Sequence, residues 1–271
     1  MGALHAGHLS LVEAARERAD LVWMSIFVNP TQFNDARDFE GYPIDLARDL
    51  ELAAEHGVDL IFAPSADELY PEGAQTWVEV TGLSGSLCGA SRPGHFRGVT
   101  TVVSKLFLAA RPHVAVFGQK DFQQCAVIRR MERDLGFGIE IVCAATVREP
   151  DGLALSSRNV HLGPEARRQA LALVQSLDQA QKAVEQGERG ADVLRGLVEA
   201  RLAEASLARI DYVELRDPET FEPAPAALRG PTLLALAVNF RPDDRGRGSE
   251  VRLIDNRILL AAPGGDCGPA D

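Results

Sequence analysis

No stretch of this 271-residue chain is apolar for long enough to cross a bilayer. Cysteine is scarce: there are four, with no CxxC pair and no regular spacing. That excludes a disulfide framework and reads as a reduced, cytoplasmic compartment. Positive charge is in deficit, with 28 Lys and Arg against 39 Asp and Glu and a net charge of −11. Such a balance argues against non-specific binding to nucleic acid or to a membrane surface, though a local basic pocket for a small anion stays compatible with it. The opening residues, MGALHAGH, have neither the basic start nor the apolar stretch of a signal peptide. No internal repeat is present. What remains is an ordinary globular composition, 46% hydrophobic and 25% charged, with length enough to bury a core in one large domain or two modest ones.

The first part alternates strand-like and helix-like segments. Near-continuous apolar runs occur at 21–28 (LVWMSIFV), 58–63 (VDLIFA), 114–117 and 139–145, the first two closed by proline. Apolar periodicity predicts helices over 8–19, 44–56, 99–110 and 122–135, with Gly57 and Gly136 as stop signals. This rhythm predicts a doubly wound α/β domain whose strands are apolar on both faces and whose ligands bind at the strands' carboxyl ends. After about Val147 the composition shifts. Helices are predicted over 164–186 and 191–205, followed by short strands at 212–215, 233–238 and 251–254, a smaller α+β domain. The domains are therefore read as 1–147 and 148–271. The segment from Arg241 to Ser249 (RPDDRGRGS) reads as a polar, flexible loop, and the tail from Pro263 as disordered.

The chemistry-bearing residues follow strands or open helices. His5-Ala6-Gly7-His8 places two histidines three apart on one helical face. At a helix N-terminus their donors and the free backbone amides suit phosphate oxygens. A zinc pair and two inconsequential surface histidines are the competing readings, zinc being weakened by the lack of a third ligand at local spacing. Gly118-Gln119-Lys120-Asp121 ends an apolar strand. There Lys120 suits phosphate and Asp121 suits a ribose, or Asp121 simply caps the next helix. Ser156-Ser157-Arg158-Asn159 packs donors suited to a triphosphate, or forms an ordinary capping turn. Ser91–Gly98, with Arg92, His95 and Arg97, makes a loop able to close over an anion, or a plain connection. Gln32, Gln123 and Gln124 could meet a small polar substrate, although glutamines are usually surface residues.

Taken together, MGALHAGH (1–8), SIFVNPTQF (25–33), LCGASRPGHFRGV (87–99), FGQKDFQQ (117–124), TVREPDGLALSSRN (146–159) and RLIDN (252–256) resemble the pantothenate synthetase, or pantoate–β-alanine ligase, family of the nucleotidyltransferase superfamily. The resemblance runs over nearly the whole chain in the family's order. The HxGH pair is shared across the superfamily; GxKDxQQ and REPDGLAxSSRN are far more specific. It implies a Rossmann-like doubly wound parallel sheet with a smaller C-terminal α+β lid domain. It implies ATP-dependent condensation of pantoate with β-alanine through a pantoyl adenylate, releasing AMP and pyrophosphate with Mg²⁺ assistance, in a cytoplasmic homodimer. By the same resemblance His5, His8 and Lys120 hold phosphate and stabilise the adenylation transition state, and Ser156, Ser157 and Arg158 clamp the triphosphate. Gly118 and Asp121 match ribose contacts and Val147 an adenine contact, while Met1 joins the ATP-binding residues against the pantoate site. Gln32 and Gln124 match pantoate contacts, His95 a support behind them, and Asp49 a contributor to the Mg²⁺ environment through water.

Two departures from the family accompany this. The strand that should feed the MGALH turn, ending in Pro-Thr, does not precede it; a start upstream of Met1 is the favoured expectation and a truly truncated protein the alternative. A missing central strand would leave neighbouring backbone groups unpaired, and a free amine at Met1 would bring charge to the site. The segment from Arg241 to Ser249 is an insertion ahead of RLIDN. Two further readings stand beside the ligase: a nucleotidyltransferase that releases a nucleotidylated product, and a nucleotide-binding protein without turnover.

Overall fold

The structure, a computed structural model, describes residues 2–34, 39–42, 44–243 and 245–260. Met1 and the tail from Pro263, for which the sequence made specific expectations, lie outside these residues. The chain divides into two compact units, Met1–Ala145 and Thr146–Asp271.

In the first unit, α1 (Ala6–Arg16) precedes β1 (Trp23–Ser25), α2 (Leu46–Glu55) and β2 (Leu60–Phe62). Asp45 caps α2 by accepting from the Arg48 amide at 3.1 Å, and Gly57, at φ +76°, allows the chain to leave it. Two short helices follow, α3 (Ala66–Leu69) and α4 (Cys88–Ser91), then α5 (His95–Ala110), β3 (Val114–Gly118), α6 (Phe122–Leu135) and β4 (Glu140–Ala144). β1 pairs with β2 and β3 with β4, both parallel, with Trp23 opposite Leu60 and Val114 opposite Glu140. Leu4, Val12, Val22, Met24, Ile26 and Ala53 form a buried cluster that joins α1, α2 and β1.

The sequence predicts strands buried on both faces of one sheet that lacks a strand. Among the described residues the parallel strands form two separate pairs with no ladder between them. Each pair has open edges, so Trp23, Leu60 and Phe62 stay partly exposed and β3 is only half-buried along its length. The helices agree closely with their predicted spans, α6 residue for residue.

The second unit holds α7 (Pro164–Gln169), α8 (Ala172–Glu185), α9 (Ala191–Ala203) and strands β5 (Ala208–Arg216), β6 (Thr232–Phe240) and β7 (Val251–Leu259). The strands form an antiparallel sheet with β6 in the centre, and Leu234, Leu236, Val238 and Phe240 are fully buried there. α8 packs on α9 and β7, and α9 on β5. The predicted helix over 164–186 is two helices, broken at Ala170–Leu171. The predicted short strands are full nine-residue strands.

Within the segment from Arg241 to Ser249, Asp243 is 9% exposed and gathers several hydrogen bonds. The Asp243 carboxylate accepts from the Arg245 and Arg247 amides at 3.0 and 2.9 Å and from Arg247 Nε at 2.8 Å. The Ser249 amide donates to His161 O at 3.0 Å. A Cβ on Gly163 would sit 2.3 Å from Arg247 O, so the two backbones approach in a way only glycine permits. No helix among the described residues is long and apolar enough to cross a membrane.

Candidate active site

The first helix begins on a histidine pair. His5 is the N-cap of α1, and its Nδ1 accepts from the Gly7 amide at 3.1 Å. His8 Nδ1 reaches back to accept from the His5 amide at 3.4 Å, and the ring centroids lie 4.1 Å apart. This is a capping box built from imidazoles instead of the usual Ser and Glu. It also fixes the tautomers. A ring nitrogen that accepts from an amide carries no proton, so each neutral ring bears its proton on Nε2. Both rings are thereby left with an Nε2–H donor.

Electrostatics agree with neutral rings. Burial, with the neighbouring His5 next in size, pushes His8 down to about 3. Burial and then the Lys120 charge also hold His5 below its usual 6.5. Lys120 therefore lies close enough to both rings to disfavour further positive charge on them. It stands in the 3-10 turn Gln119–Asp121, at the carboxyl end of β3, and α1 packs along β3. The structure thus brings His5, His8 and Lys120 together at a helix N-terminus, an arrangement suited to phosphate.

The depressed His8 value has a consequence for stability. The unfolded chain takes up a proton there near pH 6.5, the folded chain only near 3. The contribution is fully present above about pH 6.5 and is lost as pH falls towards 3. At pH 5.5 the loss should be about 1.4 kcal/mol relative to neutral pH. Denaturant unfolding at pH 7.5 and 5.5 reads it: the difference should shrink by about that amount in His8→Gln, and an unchanged difference would contradict the assignment.

Asp49 has a task the sequence did not reveal. It is 1% exposed, and its Oδ1 accepts from the Leu4 amide at 2.7 Å, so α2 anchors the backbone that leads into His5. Among the described residues there is no group of three or more His, Cys, Asp or Glu side chains able to hold a metal ion.

Gln32 lies in a second cluster. It ends the 3-10 turn Pro30–Gln32, capped by Asn29. Asn29 is 2% exposed. Its Nδ2 donates to Gly98 O at 3.1 Å, and its Oδ1 accepts from Thr31 Oγ1 at 2.9 Å and Tyr70 Oη at 3.0 Å. Gln32 O accepts from Arg92 Nη2 at 2.9 Å and from His95 Nδ1 at 2.8 Å. His95 thus supports the turn from behind. Gly98 permits it, since a Cβ there would lie 2.5 Å from Thr31 O and 2.9 Å from Gln32 N. Gly98→Ala is expected to cost about 1–3 kcal/mol and to displace Gln32. A thermal or denaturant midpoint unchanged from wild type would show that the turn yields freely.

On α6 the adjacent glutamines separate. Gln123, 5% exposed, accepts from the Cys88 amide at 3.0 Å and donates to Leu83 O and Ser86 O at 2.9 and 2.7 Å. It holds the loop before α4, whereas Gln124 is half-buried on the next position. Asp121 occupies the N-cap of α6 without a side-chain capping bond, and its carboxylate is exposed. Gly118 closes β3.

The second unit carries Ser156, Ser157 and Arg158. Ser156 caps the 3-10 turn Ser157–His161, accepting from the Arg158 amide at 3.3 Å, so its capping reading is realised. Val147 O accepts from the Leu155 amide at 3.0 Å, closing the hairpin that leads there. The rest of the REPDG motif holds this turn in place. Arg148 makes a bidentate pair with buried Asp255 at 2.7 and 2.9 Å. Glu149 accepts from Asn159 Nδ2 and Arg167 Nη2, both at 2.8 Å. Sequence reasoning missed these structural roles, because Arg148 and Asp255 are 107 positions apart.

Comparisons with known proteins agree on one family. The sequence model of pantoate-beta-alanine ligase matches residues 1–258. The pantothenate synthetase of Moorella thermoacetica is 55% identical over 96% of this chain and 88% of its own length. That of Geobacter sulfurreducens is 54% identical over the same shares. The crystal structure of pantothenate synthetase from Thermus thermophilus superposes with a TM-score of 0.89 at 46% identity, covering 95% of this chain and 90% of that one. A pantoate-beta-alanine ligase from Francisella tularensis, solved in complex with beta-gamma ATP and beta-alanine, superposes with a TM-score of 0.75 at 33% identity over 95% of this chain and 87% of that one. With the histidine-capped helix, the strand-end lysine and these relatives in agreement, the chain belongs to the pantoate–β-alanine ligase family.

Proposed function

We propose that the family's reaction, ATP-dependent joining of pantoate to β-alanine, runs on this chain through a pantoyl adenylate. The observation that carries the proposal is the histidine capping box beside Lys120, with two neutral rings whose Nε2–H donors adjoin a helix N-terminus. The pantoate carboxylate attacks the α-phosphorus of ATP, the bond to pyrophosphate breaks, and pyrophosphate leaves with its electron pair. His5 and His8 donate to the phosphoryl oxygens as charge builds, and Lys120 neutralises the departing phosphates. Because the rings are already neutral donors, no proton has to move in this step.

In the second step the β-alanine amine attacks the acyl carbon, AMP leaves, and the amine releases a proton. Gln32 and Gln124 bind pantoate, with the Asn29–Tyr70–His95 cluster fixing the Gln32 turn. Gly118 and the uncapped Asp121 meet the ribose, and Val147 meets the adenine. Ser156, Ser157 and Arg158 take the family's role of triphosphate clamp. The complexed Francisella tularensis relative supports ATP and β-alanine as ligands.

Magnesium, expected to accompany ATP, finds no cage of side chains among the described residues. Asp49 Oδ1 is committed to Leu4. The donor set does not fit a protein-held ion, and no step derived from these residues passes through one. A homodimer belongs to the same proposal and is read by light scattering.

Incubation with ATP, magnesium, pantoate and β-alanine should yield pantothenate, AMP and pyrophosphate, with sustained AMP release requiring β-alanine. Sustained release of a nucleotidylated acid without β-alanine would support the nucleotidyltransferase reading instead. ATP binding with no turnover would support the inactive one.

A further inference from the structure

Cys125 and Cys143 take no part in the proposed route, yet they occur as a pair of reduced thiols. Cys125 lies near the start of α6, with its Sγ 3.4 Å from Gly118 O. The ladder between β3 and β4 places Phe117 opposite Cys143 and Gly118 opposite Ala144. Both sulfurs therefore sit at the carboxyl end of this strand pair, within hydrogen-bonding reach of each other. Cys125 is 2% exposed, whereas Cys143 is only half-buried.

We propose that Cys125 and Cys143 form an oxidisable dithiol that closes to an intramolecular disulfide when a peroxide reaches Cys143. The hydrogen bond from Cys125 stabilises negative charge on the Cys143 sulfur and lowers its pKa, while the same bond and burial push Cys125 up. Cys143 is accordingly the attacking thiolate and Cys125 the resolving thiol. The Cys143 thiolate attacks one peroxide oxygen, the O–O bond breaks, and the departing hydroxide leaves as water after taking a proton. Cys143 is then a sulfenic acid. The Cys125 sulfur attacks the Cys143 sulfur, its proton joins the leaving hydroxyl, and a second water departs. Two thiols lose two electrons in all, and one peroxide becomes two waters. Exchange with a small dithiol reopens the bond.

Peptide mapping of the full-length chain tests this directly. The reduced protein, freed of reductant, is treated with hydrogen peroxide, its remaining thiols are alkylated, and it is cleaved with trypsin. Cys125 falls in peptide 121–129 and Cys143 in peptide 134–148. The expected product joins these two peptides, two hydrogens lighter than their sum, and disappears with dithiothreitol. In Cys125→Ser the sulfenic acid on Cys143 has no resolving partner, so dimedone should label it severalfold more than in wild type. The proposal is overturned if Cys143 ends as sulfinic or sulfonic acid with Cys125 still alkylatable. Linkage of either thiol to Cys88 or Cys267 in preference overturns it equally, as does equal dimedone labelling of variant and wild type.

Discussion

Replacing Lys120 by alanine is expected to lower kcat for pantothenate formation by about 10²–10³-fold, the usual effect of removing one preorganised charge from a developing anion. The lysine follows β3 directly and lies beside two rings that burial keeps neutral. It is therefore a positive side chain that the structure brings to the histidine-capped end of α1. Its attraction grows as pyrophosphate departs, so the loss should fall on kcat more than on KM for ATP. Pyrophosphate exchange into ATP, which requires pantoate but not β-alanine, isolates this step. Exchange slowed in proportion to kcat supports the role. Normal exchange with slow overall turnover would move Lys120 to the second step.

Arg148→Ala should have the largest effect on stability, about 3–5 kcal/mol lost, as is usual when one partner of a buried ion pair is removed. Asp255 is nearly inaccessible and would lose the guanidinium that now meets both carboxylate oxygens. The lower end of that range is expected, because a quarter of the Arg148 side chain faces solvent. Arg148→Lys should recover only part of the loss, since an ammonium cannot match the bidentate geometry. Denaturant unfolding followed by a probe in the second unit gives the value. A loss below about 1 kcal/mol would show that this pair behaves like an exposed one.

The ease of reading the sequence differed between these two sites for a physical reason. α6 was legible residue for residue, because a strand end precedes it and Gly136, at φ +63°, stops it. The pairing of the two histidines at the start of α1 was legible from their spacing. Their tautomers were not, since they depend on which backbone amides each Nδ1 meets. The break between α7 and α8 left no trace, because Ala170 and Leu171 are good helix formers. The hydrogen bond from the Leu4 amide to Asp49 was not legible, because the two residues lie 45 positions apart. The hydrogen bonds to Asp243 and the close approach of Arg247 to Gly163 are not legible in composition.

The proposed route depends on transfer of AMP to the pantoate carboxylate. Pantoate carrying ¹⁸O in both carboxyl oxygens tests it most directly, because the attacking oxygen must remain on phosphorus when β-alanine displaces AMP. One ¹⁸O is expected in each AMP released and one in the new amide carbonyl. AMP free of label, with the heavy oxygen recovered in inorganic phosphate or retained entirely in the acid, would contradict it.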